Sequence, residues 1–164
     1  FRSILDKIKM YVSEPRKNHK VATLCVADAF GLEPDFNIIR GLSDHDFTFL
    51  IPVTFHLGNK IDYRFYLGQE KDKVGRFLGW NQNDKRELKA ESNNVFYKQL
   101  VQDLEFSANE IGMNSAISNH KMDSGLMEMP MYSMCLFARK YSAKAIQFDA
   151  LAGSHIQFAL FNQN

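Results

Sequence analysis

From Phe47 to Leu57 the chain reads FTFLIPVTFHL, and its residues alternate at every step. Phe47, Phe49, Ile51, Val53, Phe55 and Leu57 fall on one side of an extended backbone. Thr48, Leu50, Pro52, Thr54 and His56 fall on the other. Bulky residues at period two cannot form a single helical stripe, so this run is a strand with one core face. Pro52 has no N–H to give a neighbouring strand, which places it at an edge or a bulge. Gly58 and Asn59 then predict a tight turn into KIDYRFYLG as a second strand. VGRFLGW reads as a third strand, weakened by Gly75 and Gly79.

The flanking sequence sets what covers that face. Phe1, Ile4, Leu5, Ile8, Tyr11 and Val12 recur at helical spacing, and Pro15 limits the helix they predict. HKVATLCVADAF reads as a second helix capped by Asn18 and ended by Gly31, although a short apolar run of this kind also fits a strand. GLEPDFNIIRGLSDHD reads as loop with a short strand at FNII. Val95, Phe96, Leu100, Val101 and Leu104 define a central helix, and Ser107 with Glu110 resembles a capping box for one more turn before Gly112. MNSAISNHKMDSG reads as loop, and LMEMPMYSMCLFARKY as a long strand bulged at Pro130. AIQFDAL and HIQFALF close as a hairpin near Gly153. The expected fold is α+β: an antiparallel sheet of five to six strands, with two N-terminal helices and one central helix packed on it.

The chain has 164 residues, 45% hydrophobic and 24% charged, enough for one domain with a real core. Residues 1–164 read as a single domain, and Phe1 in place of an initiator Met reads as a domain excised from a larger protein. The net charge of +1 gives no global field for nucleic acid or an acidic membrane. No apolar run is long enough to span a bilayer, and FRSILDKIKMYV is too regularly charged for the core of a signal peptide. Cys25 and Cys135 both sit in apolar runs, which suits buried free thiols in a reducing, cytoplasmic setting.

Four constellations bear on chemistry. Cys25 as nucleophile, His155 as base and Asn162 or Asp149 as orienter follow the chain order of papain-like enzymes. Yet Cys25 would lie inside its helix, away from an N-terminus or a cation that could hold a thiolate, and His155 reads as the first residue of a strand. Asp44, His45 and Asp46 lack any metal-ligand spacing, so no metal or other cofactor is expected. Pro34-Asp35 with Glu70 and Lys73 only loosely matches a magnesium nuclease pattern. KIDYRFYLG interleaves cations with aromatics, but as a strand it turns Tyr63 and Phe65 to the core and only Arg64 and Tyr66 outward. Nucleic acid is therefore not the expected partner.

Met127, Met129 and Met131 fall on one face of the long predicted strand, and flexible thioethers suit an adaptable groove. The sequence thus favours a noncatalytic protein-binding domain that uses an open sheet edge or a groove lined by Met127, Met129, Met131, Arg64 and Tyr66. The partner would be a protein or peptide, with self-association as one form. The alternative is a papain-like cysteine hydrolase or transferase carrying Cys25, His155 and Asn162.

Overall fold

The structure is a computed structural model that describes residues 2–18, 23–27, 32–54, 63–81, 84, 86–123 and 128–139. In chain order the elements are α1 (Arg2–Arg16), β1 (Thr23–Val26), α2 (Phe36–Ser43), β2 (Phe47–Thr54), α3 (Tyr63–Gly68), α4 (Lys71–Leu78), α5 (Asn93–Glu110), β3 (Asn114–Asp123) and β4 (Glu128–Ala138). The protein is α+β, as expected, but the described sheet has four strands in the order β1-β2-β4-β3 and is mixed. β1 runs parallel to β2, while β2 and β3 each run antiparallel to β4. The predicted C-terminal hairpin lies outside the described residues.

β2 forms where its alternation predicts. Phe47, Phe49, Ile51 and Val53 are all buried, while Thr48, Leu50 and Pro52 on the opposite face are half-buried. Its neighbours extend both faces by register. Cys25, Phe49, Phe137 and Ser115 share the inner face, and Val26, Leu50, Leu136 and Ala116 share the outer one. Pro52 turns its missing donor toward β1 and not toward β4. The Ala27 amide bonds the Leu50 carbonyl, so Leu50 and, two residues on, Pro52 turn their backbone groups toward β1. Among the described residues β1 has ended by then. Pro130 also falls at an irregularity: His120 pairs with Tyr132 but Met122 pairs with Met129, so β4 carries one extra residue there.

Several expected elements change type. FNII is not a strand but part of α2, because Asp35 caps that helix, its carboxylate accepting from the Asn37 amide at 2.8 Å, and Phe36, Ile39 and Leu42 line up at helical spacing. KIDYRFYLG and VGRFLGW are not strands: Tyr63–Gly68 and Lys71–Leu78 are helices. Tyr66, Val74, Phe77 and Leu78 form their buried stripe, a helical period that coexists in this sequence with the period of two. Part of the predicted second helix is the strand β1, and the predicted loop MNSAISNHKMDSG contributes β3. Ser107 does not start a new helix. α5 runs through it to a Schellman ending, with Gly112 left-handed at φ 76° and the Met113 amide bonding the Ala108 carbonyl at 3.0 Å.

Buried residues of β2, β4 and the helices α2 to α5 join in one core. Tyr97 on α5 ties the core to both central strands. Its hydroxyl donates to the Val53 carbonyl at 2.7 Å, and Ser133 Oγ lies 2.9 Å from the Tyr97 hydroxyl oxygen. α4 meets α2 at Gly79, which ends α4 at φ 71° directly against Phe36. Arg40 of α2 donates to the Gly79 carbonyl at 3.1 Å, satisfying one exposed end of α4. No helix among the described residues is long and apolar enough to cross a membrane.

Two substitutions test this packing. A Cβ at Gly79 would lie 2.4 Å from Phe36 Cδ1 on a left-handed backbone, so Gly79→Ala should lower unfolding free energy in urea by about 2–4 kcal/mol. Gly68→Ala, with nothing within 4 Å of the added carbon, should be close to neutral. Burial pushes the Tyr97 phenol up to about 12 from its ordinary 10.0. The native state therefore keeps a proton that the unfolded chain loses, and stability should fall as pH rises between these values. Tyr97→Phe should flatten that alkaline slope, read from denaturation midpoints, and cost about 1–2 kcal/mol at neutral pH.

Candidate edge-strand interaction site

Among the described residues β1 is the shortest strand of the sheet and one of its two edges. Its side chains split by face. Thr23, Cys25 and Ala27 are half-buried, while Leu24 and Val26 are 58% and 62% exposed. Such exposure is unusual for two apolar residues a single turn of the pleat apart. Thr48, Leu50, Pro52, Met134 and Leu136 continue the same outer face at half-burial.

The backbone of β1 carries the second half of the site. Ala27 donates to Leu50, so the odd-numbered residues of β1 face β2. The amides and carbonyls of Leu24 and Val26 then point away from the sheet, and no described residue bonds them. An edge with unpaired polar groups beside exposed apolar side chains is a template for one more strand.

Cys25 is mid-strand on the inner face of β1, not within a helix. Burial raises its pKa, and no cation among the described residues opposes this. Cys135, fully buried opposite Ile51, is pushed up to about 12, by burial first and the nearby Glu105 second. Both are free thiols. The His155, Asp149 and Asn162 expected beside Cys25 lie outside the described residues, as does Met127. Met129 and Met131 lie in β4 at its irregular end, where the extra residue interrupts the strict alternation behind their expected shared face.

Arg64 and Tyr66 do not form an outward pair. On the helix α3 residues two apart point to nearly opposite sides. Arg64 is exposed, its guanidinium 5.6 Å over the Tyr63 ring. Tyr66 is only 9% exposed and stacks on Phe96 at 5.8 Å. It belongs to the core, not the surface.

The polar motifs have structural work. Asp35 caps α2, Asp44 accepts from Arg139 at 2.6 Å, and Lys73 pairs with Glu33 at 2.5 Å, so the residues considered for a metal or nuclease site are dispersed. Among the described residues no three His, Cys, Asp or Glu side chains come together as a metal site. Leu24 and Val26 were not legible as site residues, because the run that holds them fits a helix equally well. No family model, curated protein or solved structure matches this chain.

Thiol reactivity reads this arrangement directly. In native protein at neutral pH, Cys25 should react slowly with a thiol reagent and Cys135 more slowly still, since the thiolate is the reactive form. Cys25→Ala should cost on the order of 1 kcal/mol in chemical denaturation. Labelling of Cys25 at the rate of the unfolded chain would contradict its burial.

Proposed function

We propose that this chain is a noncatalytic protein-interaction domain that takes an extended segment of a partner as an added strand along β1. The observation that carries this reading is the pairing, at one edge of the described sheet, of exposed Leu24 and Val26 side chains with outward backbone groups that no described residue bonds. Main-chain hydrogen bonds would supply affinity, and alternate side chains of the added strand would pack beside Leu24 and Val26. Near-neutral net charge leaves recognition to these local contacts rather than to long-range steering.

The competing reading is a papain-like hydrolase or transferase with Cys25 and His155. It would need a lowered thiol pKa, and burial moves Cys25 the other way.

Val26→Pro tests the proposal with little disturbance of the fold, because the N–H it removes faces outward. A phage-displayed peptide library panned on the domain should enrich sequences with alternating apolar residues. Those peptides should bind Val26→Pro roughly tenfold more weakly, or worse, with the thermal midpoint little changed. Sedimentation of the domain alone reads whether a second copy fills the edge. Equal binding to wild type and variant would remove β1 from the account.

A further inference from the structure

A second extended edge lies far from β1 in the sequence, in the stretch 86–91 before α5. These residues have no regular secondary structure, yet their side chains alternate: Glu87, Lys89 and Glu91 are exposed, while Leu88 is buried and Ala90 half-buried. Gln99 of α5 holds the Lys89 peptide at both ends. Its Oε1 accepts from the Lys89 amide at 2.9 Å, and its Nε2 donates to the Lys89 carbonyl at 2.7 Å. A side-chain amide thus plays the part of a neighbouring strand.

In an extended chain successive residues turn their backbone groups to opposite sides. With Lys89 committed to α5, the amides and carbonyls of Leu88 and Ala90 face the other way, and no described residue bonds them. A cleft of about 370 Å³ opens there, within the size range of ligand pockets. Leu88 and Ala90 form one wall, and Tyr66, Leu67, Val74 and Trp80 contribute the other. Trp80 leans on Gly75, where an added Cβ would lie 3.8 Å from its Cε3, and its buried indole N–H has no partner among the described residues. At the rim, Lys71 pairs with Glu87 at 3.4 Å, whereas Lys89 and Glu91 have no ion-pair partner among the described residues.

We propose that this cleft is a peptide groove, independent of β1, whose occupant is an extended peptide hydrogen-bonded to Leu88 and Ala90. One apolar side chain of the peptide enters between Val74, Trp80 and Leu88. Its two neighbours point outward, an acidic one opposite Lys89 and a basic one opposite Glu91, because opposite charges are the favoured cross-strand pairs. Free peptides with this pattern are the ligand class, in contrast to small neutral solutes that lack a backbone to pair.

Trp80 is the sole tryptophan, so its emission and its single indole resonance come from one wall of this cleft, while the Leu88 and Ala90 amides report on the groove itself. The probe is the blocked peptide Ac-Thr-Lys-Leu-Glu-Thr-NH2, titrated into the domain. Its addition should shift the Leu88 and Ala90 amide resonances, slow their hydrogen exchange and change Trp80 emission. Replacing the central Leu of the peptide with Ser should weaken binding roughly tenfold, and Ala90→Pro, which removes only an N–H facing the cleft, should do the same with an unchanged thermal midpoint. Val26→Pro should leave this binding intact, which separates the groove from the β1 edge. Unresponsive Leu88 and Ala90 amides at saturating peptide, equal binding by Ala90→Pro, or amides already protected from exchange in the free domain would each overturn the proposal.

Discussion

The rest of the fold depends on the inner face of β2. Phe47, Phe49, Ile51 and Val53 are each at most 4% exposed, and four such residues on eight positions leave no alternative register. A slip of one residue would exchange them for Thr48, Leu50 and Pro52. Neighbouring strands must then match that face, which is why Cys25, Cys135 and Phe137 are inward, and the helices must supply a cover. Tyr97 fixes where the cover sits. A buried phenol needs a partner, and the one it finds is a main-chain carbonyl of β2 with a β4 hydroxyl beside it.

Arginines tie the periphery to this centre. Arg86 binds Asp84 through Nε at 2.9 Å and Nη2 at 2.6 Å, reaches Ser107 of α5 at 3.2 Å and lies over the rings of Trp80 and Phe106. The bonds to Arg86 hold the Asp84 carboxyl below the usual carboxylate range. Arg139 at the end of β4 gathers Asp44 and the Ile111 carbonyl, joining the ends of α2 and α5. Planar, permanently charged forks suit such multi-point contacts better than lysine does. Both proposed binding edges are products of this economy. Helices crowd one side of the sheet and leave Leu24 and Val26 on the other. Asp84 bonds Arg86 at the start of a short extended stretch and Gln99 holds Lys89 in its middle, which turns the backbone groups of Leu88 and Ala90 away from α5.

Cysteine chemistry illustrates how position outweighs residue type. Cys25 follows a plausible chain order for a nucleophile, but the chain places it mid-strand against the core, where burial disfavours the thiolate. A thiol at a helix N-terminus or beside a cation would titrate the other way.

The sequence alone determined that β2 and β4 are strands and α1 and α5 helices, because each carries a long, single-period pattern that only one kind of element can bury. It also placed Pro130 at an irregular position, whereas Pro52, expected at an edge or a bulge, lies in regular register within the interior strand β2. Tertiary structure decided the rest. Tyr63–Leu78 carries both periods, and it is helical because the helical stripe of Tyr66, Val74 and Phe77 meets Phe96 and Phe36 in the core. TLCV is a strand because β2 offers it a parallel partner, and the loop after Gly112 is a strand because β4 does. Tyr66 moved from the surface to the core, and Leu24 and Val26 came to the exposed face of β1, for the same reason. A short apolar run specifies that it will be buried or paired, while the partner that accepts it is chosen by residues distant in sequence.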